Sequence, residues 1–365
     1  MQKNPFNPNF GKVPPVFIDR GETVRELIEG LSDTGSPYQT TLISGVRGVG
    51  KTALLSDVCN EIRTDKKWIV ADIPSNSNIL ETLVQTIHVK ASSELRKALD
   101  SIDGVSVSIL GVGFSYSAKD NKVNYQLLLE QMLEKMQENN THLLVAIDEV
   151  TANKQVKLFA SVYQIMVRRN YPISLVMTGL PKNISELQND SVLTFLLRSA
   201  RVDLPLLNKI SVTYSYKRTF EDGGKQIATN VLNKMTALTN GYSYAFQLLG
   251  YLVWNTGADE ITSETVDSVM ETYKENLFRN AYFKIYEELS SVDKKFVDVM
   301  AMSEDTSVSM KYITEQMGKN AGYISTYRRR LIDSGVIQAD SYGYVAFSLP
   351  LFDEYIKEFQ IQSQI

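Results

Sequence analysis

Apolar positions in the N-terminal half of the chain fall into two alternating kinds of segment. Short, mainly apolar runs, typical of strands buried on both faces, occur at 40–44, 68–73, 142–147 and 173–178, and a further short strand is predicted at 201–204. Segments with helical spacing of apolar residues lie at 22–31, 78–98, 124–139, 154–169 and 185–200. Strands that alternate with helices predict a three-layer α/β domain built on a parallel sheet.

The pattern changes beyond about residue 209. Residues 222–280 predict three helices, which form a helical subdomain. Residues 291–349 predict a winged helix-turn-helix, with helices at 292–302, 311–317 and 322–333 and a hairpin whose tip is Tyr342-Gly343. We therefore expect domains at 1–209, 210–285 and 286–365. Residues 1–15 are predicted to be extended, and residues 100–123 an inserted hairpin or loop.

The first strand leads directly into the pattern G-x-x-x-x-G-K-[ST] at residues 45–52, and a helical segment follows. Glycines allow backbone N–H groups to surround a phosphate chain, and the helix N-terminus adds partial positive charge. Lys51 would reach the β- and γ-phosphates. The alternative is a Gly-rich turn before a helix. The predicted nucleotide-binding residues are Gly45, Val46, Arg47, Gly48, Val49, Gly50, Lys51, Thr52 and Ala53.

Two adjacent carboxylates, Asp148 and Glu149, close the apolar run at 142–147. Asp148 and the Thr52 hydroxyl are predicted to hold Mg²⁺, and Glu149 to orient and deprotonate the attacking water. Catalytic roles are thus predicted for Glu149, Lys51 and Thr178. Two alternatives remain open: a structural role for the carboxylates, and a site that binds nucleotide without hydrolysing it.

Three further residues have two interpretations each. Thr178 ends the run at 173–178, where it would either contact the γ-phosphate or only close a turn. Arg198 and Arg201 lie before and in the last predicted strand. Each would either reach a neighbouring subunit's nucleotide as an arginine finger or stabilise a helix C-terminus.

Composition limits the partners. The chain has 365 residues and a formal net charge of −4, so any nucleic-acid site must be local rather than spread over the surface. Cys59 is the only cysteine, which excludes a disulfide within one chain. No apolar run reaches transmembrane length, and the polar N-terminus does not resemble a signal peptide. A cytoplasmic protein that does not contact membranes is expected.

The third helix of the C-terminal module carries the candidate DNA contacts. Helices at this position enter the major groove, and arginines there mostly contact phosphates. Lysines and arginines balance acids across 290–350, and winged helices also bind proteins, so that alternative stays open. Three adjacent arginines cannot share one helix face, so one or two should pair within the protein. The predicted contacts are Tyr323, Ser325, Thr326, Arg328 and Arg329.

Together these motifs resemble the AAA+ ATPases, in particular the branch with archaeal origin-recognition and cell-division-control initiators and related Walker-type ATPases. The resemblance rests on segments 16–20, 45–52, 143–149, 198–206 and 241–244 and on Thr178. It implies ATP or ADP and Mg²⁺ as ligands, a helical lid, hydrolysis and, as further options, double-stranded DNA and a homo-oligomer. Three departures stand out: Gly21 replaces a usual Glu, Ser243 replaces a Pro, and residues 244–251 lack the lid arginine. These departures favour a nucleotide switch over a motor.

Overall fold

The computed structural model describes residues 3–9, 14–16, 20–33, 35–102 and 124–363. The predicted insertion at 100–123 and the N-terminal box at 16–20 therefore lie largely outside the described residues. The chain forms two compact units. The sheet unit comprises residues 20–44 and 51–203, and the helical unit comprises residues 1–19, 45–50 and 204–365. The three-domain division stays a prediction.

The sheet unit is built on a five-stranded parallel sheet. Its strands are β1 (Thr40–Ser44), β2 (Trp68–Asp72), β3 (His142–Ile147), β4 (Ile173–Gly179) and β5 (Ala200–Asp203). Their order is β2-β3-β4-β1-β5. The central strands are apolar and buried, as a sheet covered on both faces requires. Because β4 lies beside β1, the end of β4 borders the strand that leads into the Gly-rich loop.

Helices cover this sheet. They are Gly21–Leu31, Lys51–Ile62, Ile79–Lys90, Ser93–Leu99, Tyr125–Glu138, Lys154–Arg168 and Pro181–Gln188, with 3₁₀ turns at Pro37–Gln39 and Thr194–Arg198. Two predicted helices are wrong in extent. The segment 78–98 breaks because Ala91 is extended and the Ser92 side chain caps a new helix by accepting from the Leu95 N–H. The segment 185–200 is a helix begun by Pro181 followed by a 3₁₀ turn.

In the helical unit, the segment 222–280 was predicted as three helices, but the structure has more helices there and others on either side. They are Lys209–Asp222, Thr229–Thr239, Ser243–Asn255, Ser263–Asp267 and Met270–Leu277, then a π-helical turn at Phe278–Tyr282 and the helix Phe283–Glu287. Two short parallel strands, β6 (Gln226–Ile227) and β7 (Glu260–Ile261), also pair within the segment 222–280, for which only helices were predicted.

Residues 3–9 pack against these helices. Asn4 Nδ2 donates to the Tyr251 carbonyl at 3.0 Å, and the Asn7 N–H donates to Gln247 Oε1 at 2.9 Å. Phe6 is only 2% exposed. Its ring packs against four aromatic rings, those of Tyr216, Phe220, Phe246 and Trp254. Phe6 is thus part of the core of the helical unit, and Asn4 and Asn7 fix the segment in place.

The C-terminal module is a winged helix-turn-helix, as predicted. Its helices are Ser291–Ala301, Met310–Met317 and Ala321–Asp333, and its three-stranded antiparallel sheet contains β8 (Ser307–Ser309), β9 (Ile337–Ala339) and β10 (Tyr344–Phe347). A final helix, Phe352–Ser363, follows the wing and was not predicted. The predicted fold class is confirmed: a parallel α/β sheet, a helical region and a C-terminal winged helix. Within the described residues, no helix combines the length and apolarity needed to cross a membrane.

Candidate functional site

The Gly-rich loop 45–50 connects β1 to the helix that begins at Lys51. Gly48 and Gly50 have φ angles of 78° and 101°, in a region that side chains other than glycine rarely adopt. Gly48 is also tightly packed, because a Cβ there would lie 2.2 Å from the hydroxyl oxygen of Tyr242. Both conformation and space therefore require glycine at position 48.

Three consecutive carbonyls of this loop accept hydrogen bonds from the start of helix Ser243–Asn255. The Tyr242 hydroxyl donates to Arg47 O at 2.8 Å, Ser243 Oγ to Val49 O at 2.9 Å and the Tyr244 N–H to Gly48 O at 3.1 Å. Burial raises the pKa of Tyr242 well above its ordinary value, so its hydroxyl stays a neutral donor. In a trans peptide the N–H points opposite to the carbonyl. Holding these carbonyls therefore aims the N–H groups of residues 48–50 away from the helix.

In the sheet unit, one carboxylate contacts two of the predicted site residues. Thr52 Oγ1 donates to Asp148 Oδ2 at 2.7 Å, and Thr178 Oγ1 donates to Asp148 Oδ1. Thr178 is completely buried, whereas Asp148 is half-buried. The topology explains the cluster: Asp148 follows β3, Thr178 lies near the end of β4, and Thr52 lies in the first turn of the helix after β1. Thr178 thus orients Asp148 in this structure.

The backbone of Glu149 is fixed by hydrogen bonds, whereas its side chain is exposed. Its N–H donates to Asp148 Oδ1 at 3.0 Å and to Thr178 Oγ1 at 3.3 Å. Its φ of 50° is left-handed, a conformation that costs a non-glycine residue about 1–2 kcal/mol. The surrounding hydrogen bonds hold this strained turn, and a neighbouring pair of carboxylates results, one engaged by hydroxyls and the other exposed.

Two polar residues near Glu149 were not singled out from the sequence. Ser75, after β2, donates from Oγ to the Glu149 carbonyl at 3.4 Å. Asn153 Nδ2 donates to the Ser75 carbonyl at 2.9 Å, while its Oδ1 caps the helix Lys154–Arg168. Their position just beyond the C-terminal ends of β2 and β3 was the available signal, since ligands of open α/β sheets bind at that edge.

Three solved structures are similar over nearly the whole chain. The Walker-type ATPase of Pyrococcus abyssi shares 15% identity with a TM-score of 0.61, covering 93% of this chain and 96% of its own. The ORC2 protein of Aeropyrum pernix, solved as ADPNP-ADP complexes, shares 12% identity with a TM-score of 0.63, covering 98% of both chains. Cdc6p of Pyrobaculum aerophilum shares 14% identity with a TM-score of 0.50, covering 96% and 97%. The chain has the AAA+ fold.

A family model described as a domain of unknown function, DUF8462, matches residues 279–356. This segment includes the end of the helical region and the winged helix. No curated protein matches the sequence significantly. At these identities the similar structures establish the AAA+ fold, and the roles of single residues must be argued from this chain.

Two arginines of the AAA+ sheet unit were predicted as alternatives for an arginine finger. Arg198 ends the 3₁₀ turn Thr194–Arg198, and Arg201 lies in β5 opposite Leu42. Both side chains are exposed. β5 is an edge strand, so both arginines lie at one margin of the sheet. Their roles remain predictions.

In the winged helix, the third helix exposes most of the predicted DNA contacts. Its inner face is buried through Ile324 and Leu331. The outward residues are Tyr323, Ser325, Thr326 and Arg329, which are exposed, and Arg328, which is half-buried. Arg330 instead pairs with the buried carboxylate of Asp293 and donates to Ser290 Oγ at 2.6 Å. One of the three adjacent arginines is therefore used within the protein, as the helical geometry predicted.

Proposed function

We propose that this chain binds ATP with Mg²⁺ at residues 45–52, hydrolyses it, and uses the nucleotide state to control the binding of its winged helix to duplex DNA. The main support for nucleotide binding and hydrolysis is the contact of Asp148 with the hydroxyls of Thr52 and Thr178. It joins the helix after the Gly-rich loop to the ends of two neighbouring strands, where phosphoryl chemistry needs its groups.

The residues fit a magnesium nucleotide. Lys51 would contact the β- and γ-phosphates, and the N–H groups of Gly48 and Gly50 would face them, while the Val49 N–H donates to the Val46 carbonyl at 3.3 Å. The Thr52 hydroxyl and the Asp148 carboxylate, with oxygens 2.7 Å apart, are hard donors of the kind that Mg²⁺ prefers. When bound, Mg²⁺ would neutralise charge on the phosphate oxygens.

Glu149 is the proposed general base. Asp148 is engaged by two hydroxyls, whereas the adjacent Glu149 side chain is exposed. Glu149 would accept the proton of the attacking water. Thr178 would keep Asp148 oriented and lies at the end of a strand where a γ-phosphate contact is expected.

Two substitutions separate binding from hydrolysis. Lys51→Ala should abolish binding of fluorescent ADP, because it removes the cation that meets the phosphates. Glu149→Gln should leave that binding within about twofold and lower turnover by about 10²–10⁴-fold, the contribution of a general base. Glu94→Gln, which changes an exposed carboxylate on helix Ser93–Leu99 of the same unit, is the matched control. Unchanged turnover in Glu149→Gln would show that Glu149 is not the general base. Wild-type binding without turnover would favour a binding-only site.

The DNA proposal is supported by the exposed polar face of helix Ala321–Asp333. Filter binding of duplex DNA, with and without ATP, should detect an affinity that depends on nucleotide. The double variant Arg328→Ala/Arg329→Ala should weaken it by at least tenfold. Its control is Lys217→Ala/Arg218→Ala, which removes two adjacent exposed charges from helix Lys209–Asp222. Absence of DNA binding by the wild type would favour the alternative, a signalling switch whose winged helix binds a protein partner.

We also propose that the chain forms a homo-oligomer in which Arg198 or Arg201 acts as an arginine finger on a neighbouring subunit's nucleotide. Their exposure at a sheet margin supports it. Specific activity should then rise with protein concentration in the wild type. It should become independent of concentration in Arg198→Ala or Arg201→Ala, whichever residue is the finger.

A further inference from the structure

Two variable positions of the Gly-rich loop contact the segment matched by DUF8462. Arg47 Nη2 lies 3.0 Å from Glu288 Oε1, and both side chains are 35% exposed. A Cβ at Gly335, just after the third helix of the winged helix, would lie 3.1 Å from Val46 Cβ. Both partners, Glu288 and Gly335, belong to residues 279–356. The loop thus contacts this segment by one ion pair and one close backbone approach.

The guanidinium of Arg47 has bonding capacity that this ion pair leaves unused. Within the described part of the chain, its Nε is buried and has no hydrogen-bond partner. A buried donor without a partner carries a desolvation cost, which an anion would relieve. Arg47 also lies between Val46 and Gly48 in the loop where the proposed function places the phosphates, so an anion bound there would be close to this donor.

Glu288 places a negative charge next to this loop. It also lies 3.8 Å from Lys284 Nζ, one turn earlier. A carboxylate near a polyanion site opposes binding of the polyanion, because like charges repel. A phosphate chain and Glu288 would therefore compete for the same guanidinium.

We propose that Arg47 is a nucleotide-sensing residue that exchanges Glu288 for nucleotide phosphate, and that Glu288 is the positioning residue that holds it when the loop carries no phosphate. This inference rests on the proposed nucleotide binding. It adds the contact through which bound nucleotide would affect the C-terminal segment. Binding of nucleotide loosens the contact of residues 279–356 with the loop. By thermodynamic reciprocity, loosening that contact tightens nucleotide binding.

The decisive measurement is the Kd of fluorescent ADP for the full-length chain. Glu288→Gln should tighten binding by about two- to fivefold, the range of a partly exposed ion pair. Glu287→Gln is the matched control, since its carboxylate pairs with Lys294 within the same segment instead of with the loop. In an Arg47→Met background the Glu288→Gln effect should disappear. At 1 M salt, where the Debye length is about 3 Å, the wild type and Glu288→Gln should converge.

Hydrogen exchange supplies a second readout. Saturating ADP should speed amide exchange around residue 288 in the wild type and change it little in Glu288→Gln. Unchanged or weaker ADP binding by Glu288→Gln, or an equal effect of that substitution in the Arg47→Met background, would overturn the exchange of partners while the proposed function stands. Failure of the wild type to bind ADP at all would overturn both.

Discussion

At the scale of single residues, Asp148 shows how the candidate site is held. Its two carboxylate oxygens accept from two hydroxyls, one on the helix after the Gly-rich loop and one on β4. A carboxylate that is fixed from both sides loses little further freedom when a cation binds, which lowers the entropic cost of binding. The residues that orient Asp148 are therefore expected to matter nearly as much as Asp148 itself.

Thr178→Val tests this orientation, because valine has nearly the same shape but no hydroxyl. Losing a hydrogen bond to a charged group costs about 1.5–3 kcal/mol, so ATP turnover should fall by roughly 10–100-fold. Thr178→Ser should keep most of the activity. Thr41→Val, another fully buried threonine in the same sheet, is the control and should stay within about threefold of wild type. Full activity in Thr178→Val would mean that Asp148 needs no support from this side.

Cys59 provides a chemical test of burial. The thiol is 1% exposed, and burial raises its pKa to about 12. At pH 8 only about one thiol in ten thousand would then be ionised, and the thiolate is the reactive form. A thiol-specific reagent should therefore leave the native chain unmodified at pH 8 and label one site in denaturant. Rapid labelling of the native protein would show that the helix Lys51–Ile62 opens easily.

At the scale of elements, sequence patterns predicted structure wherever the information is local. The strand predicted at 142–147 is apolar and buried from Leu143 to Ile147, and the structure confirms it. The helix predicted at 78–98 was too long because Leu95 continues the apolar spacing across the break. Ala91 and Ser92 are tolerated inside helices, so nothing in the pattern revealed that Ser92 would act as a cap.

The difference between local and long-range information also explains which parts of the candidate site were predicted. The Gly-rich loop and Asp148 were found because each is a local motif at the end of a strand. The contacts of the loop with Tyr242 and Glu288 join residues 195 and 241 positions apart in the chain. No periodicity reports on such pairs, and only the folded chain brings them together. Ser75 and Asn153 were missed because the only signal was their position beyond the ends of β2 and β3, which single polar residues in loops share with many others.

The N-terminal segment is the element whose importance the sequence least suggested. Phe6→Ala should destabilise the helical unit by about 3–5 kcal/mol, because it leaves a cavity among four aromatic rings. Urea denaturation, followed by tryptophan fluorescence, should show a lower midpoint, since Trp254 borders the cavity. Asn9→Ala, an exposed change in the same segment, should leave the midpoint unchanged. An unshifted midpoint for Phe6→Ala would show that this segment is not part of the cooperative core.

At the scale of the whole molecule, the net charge of −4 opposes DNA binding at long range. The proposed DNA binding would therefore depend on a few cations in and beside the third helix of the winged helix. Arg330 is committed to Asp293, which leaves Arg328, Arg329 and, nearby, the exposed Lys319. The protein is thus expected to bind DNA with modest affinity, and a nucleotide-dependent change of even a few-fold would matter.

The salt dependence of DNA binding measures how many of these cations act. Two or three phosphate contacts predict a slope of about −2 to −3 when the logarithm of the binding constant is plotted against that of the salt concentration. Arg329→Ala should reduce the magnitude of this slope by about one, while Lys217→Ala should leave it unchanged. A slope much steeper than −3 would require a basic surface outside helix Ala321–Asp333. A slope near zero would mean that phosphates are not contacted, and the winged helix would then be better explained as a surface for a protein partner.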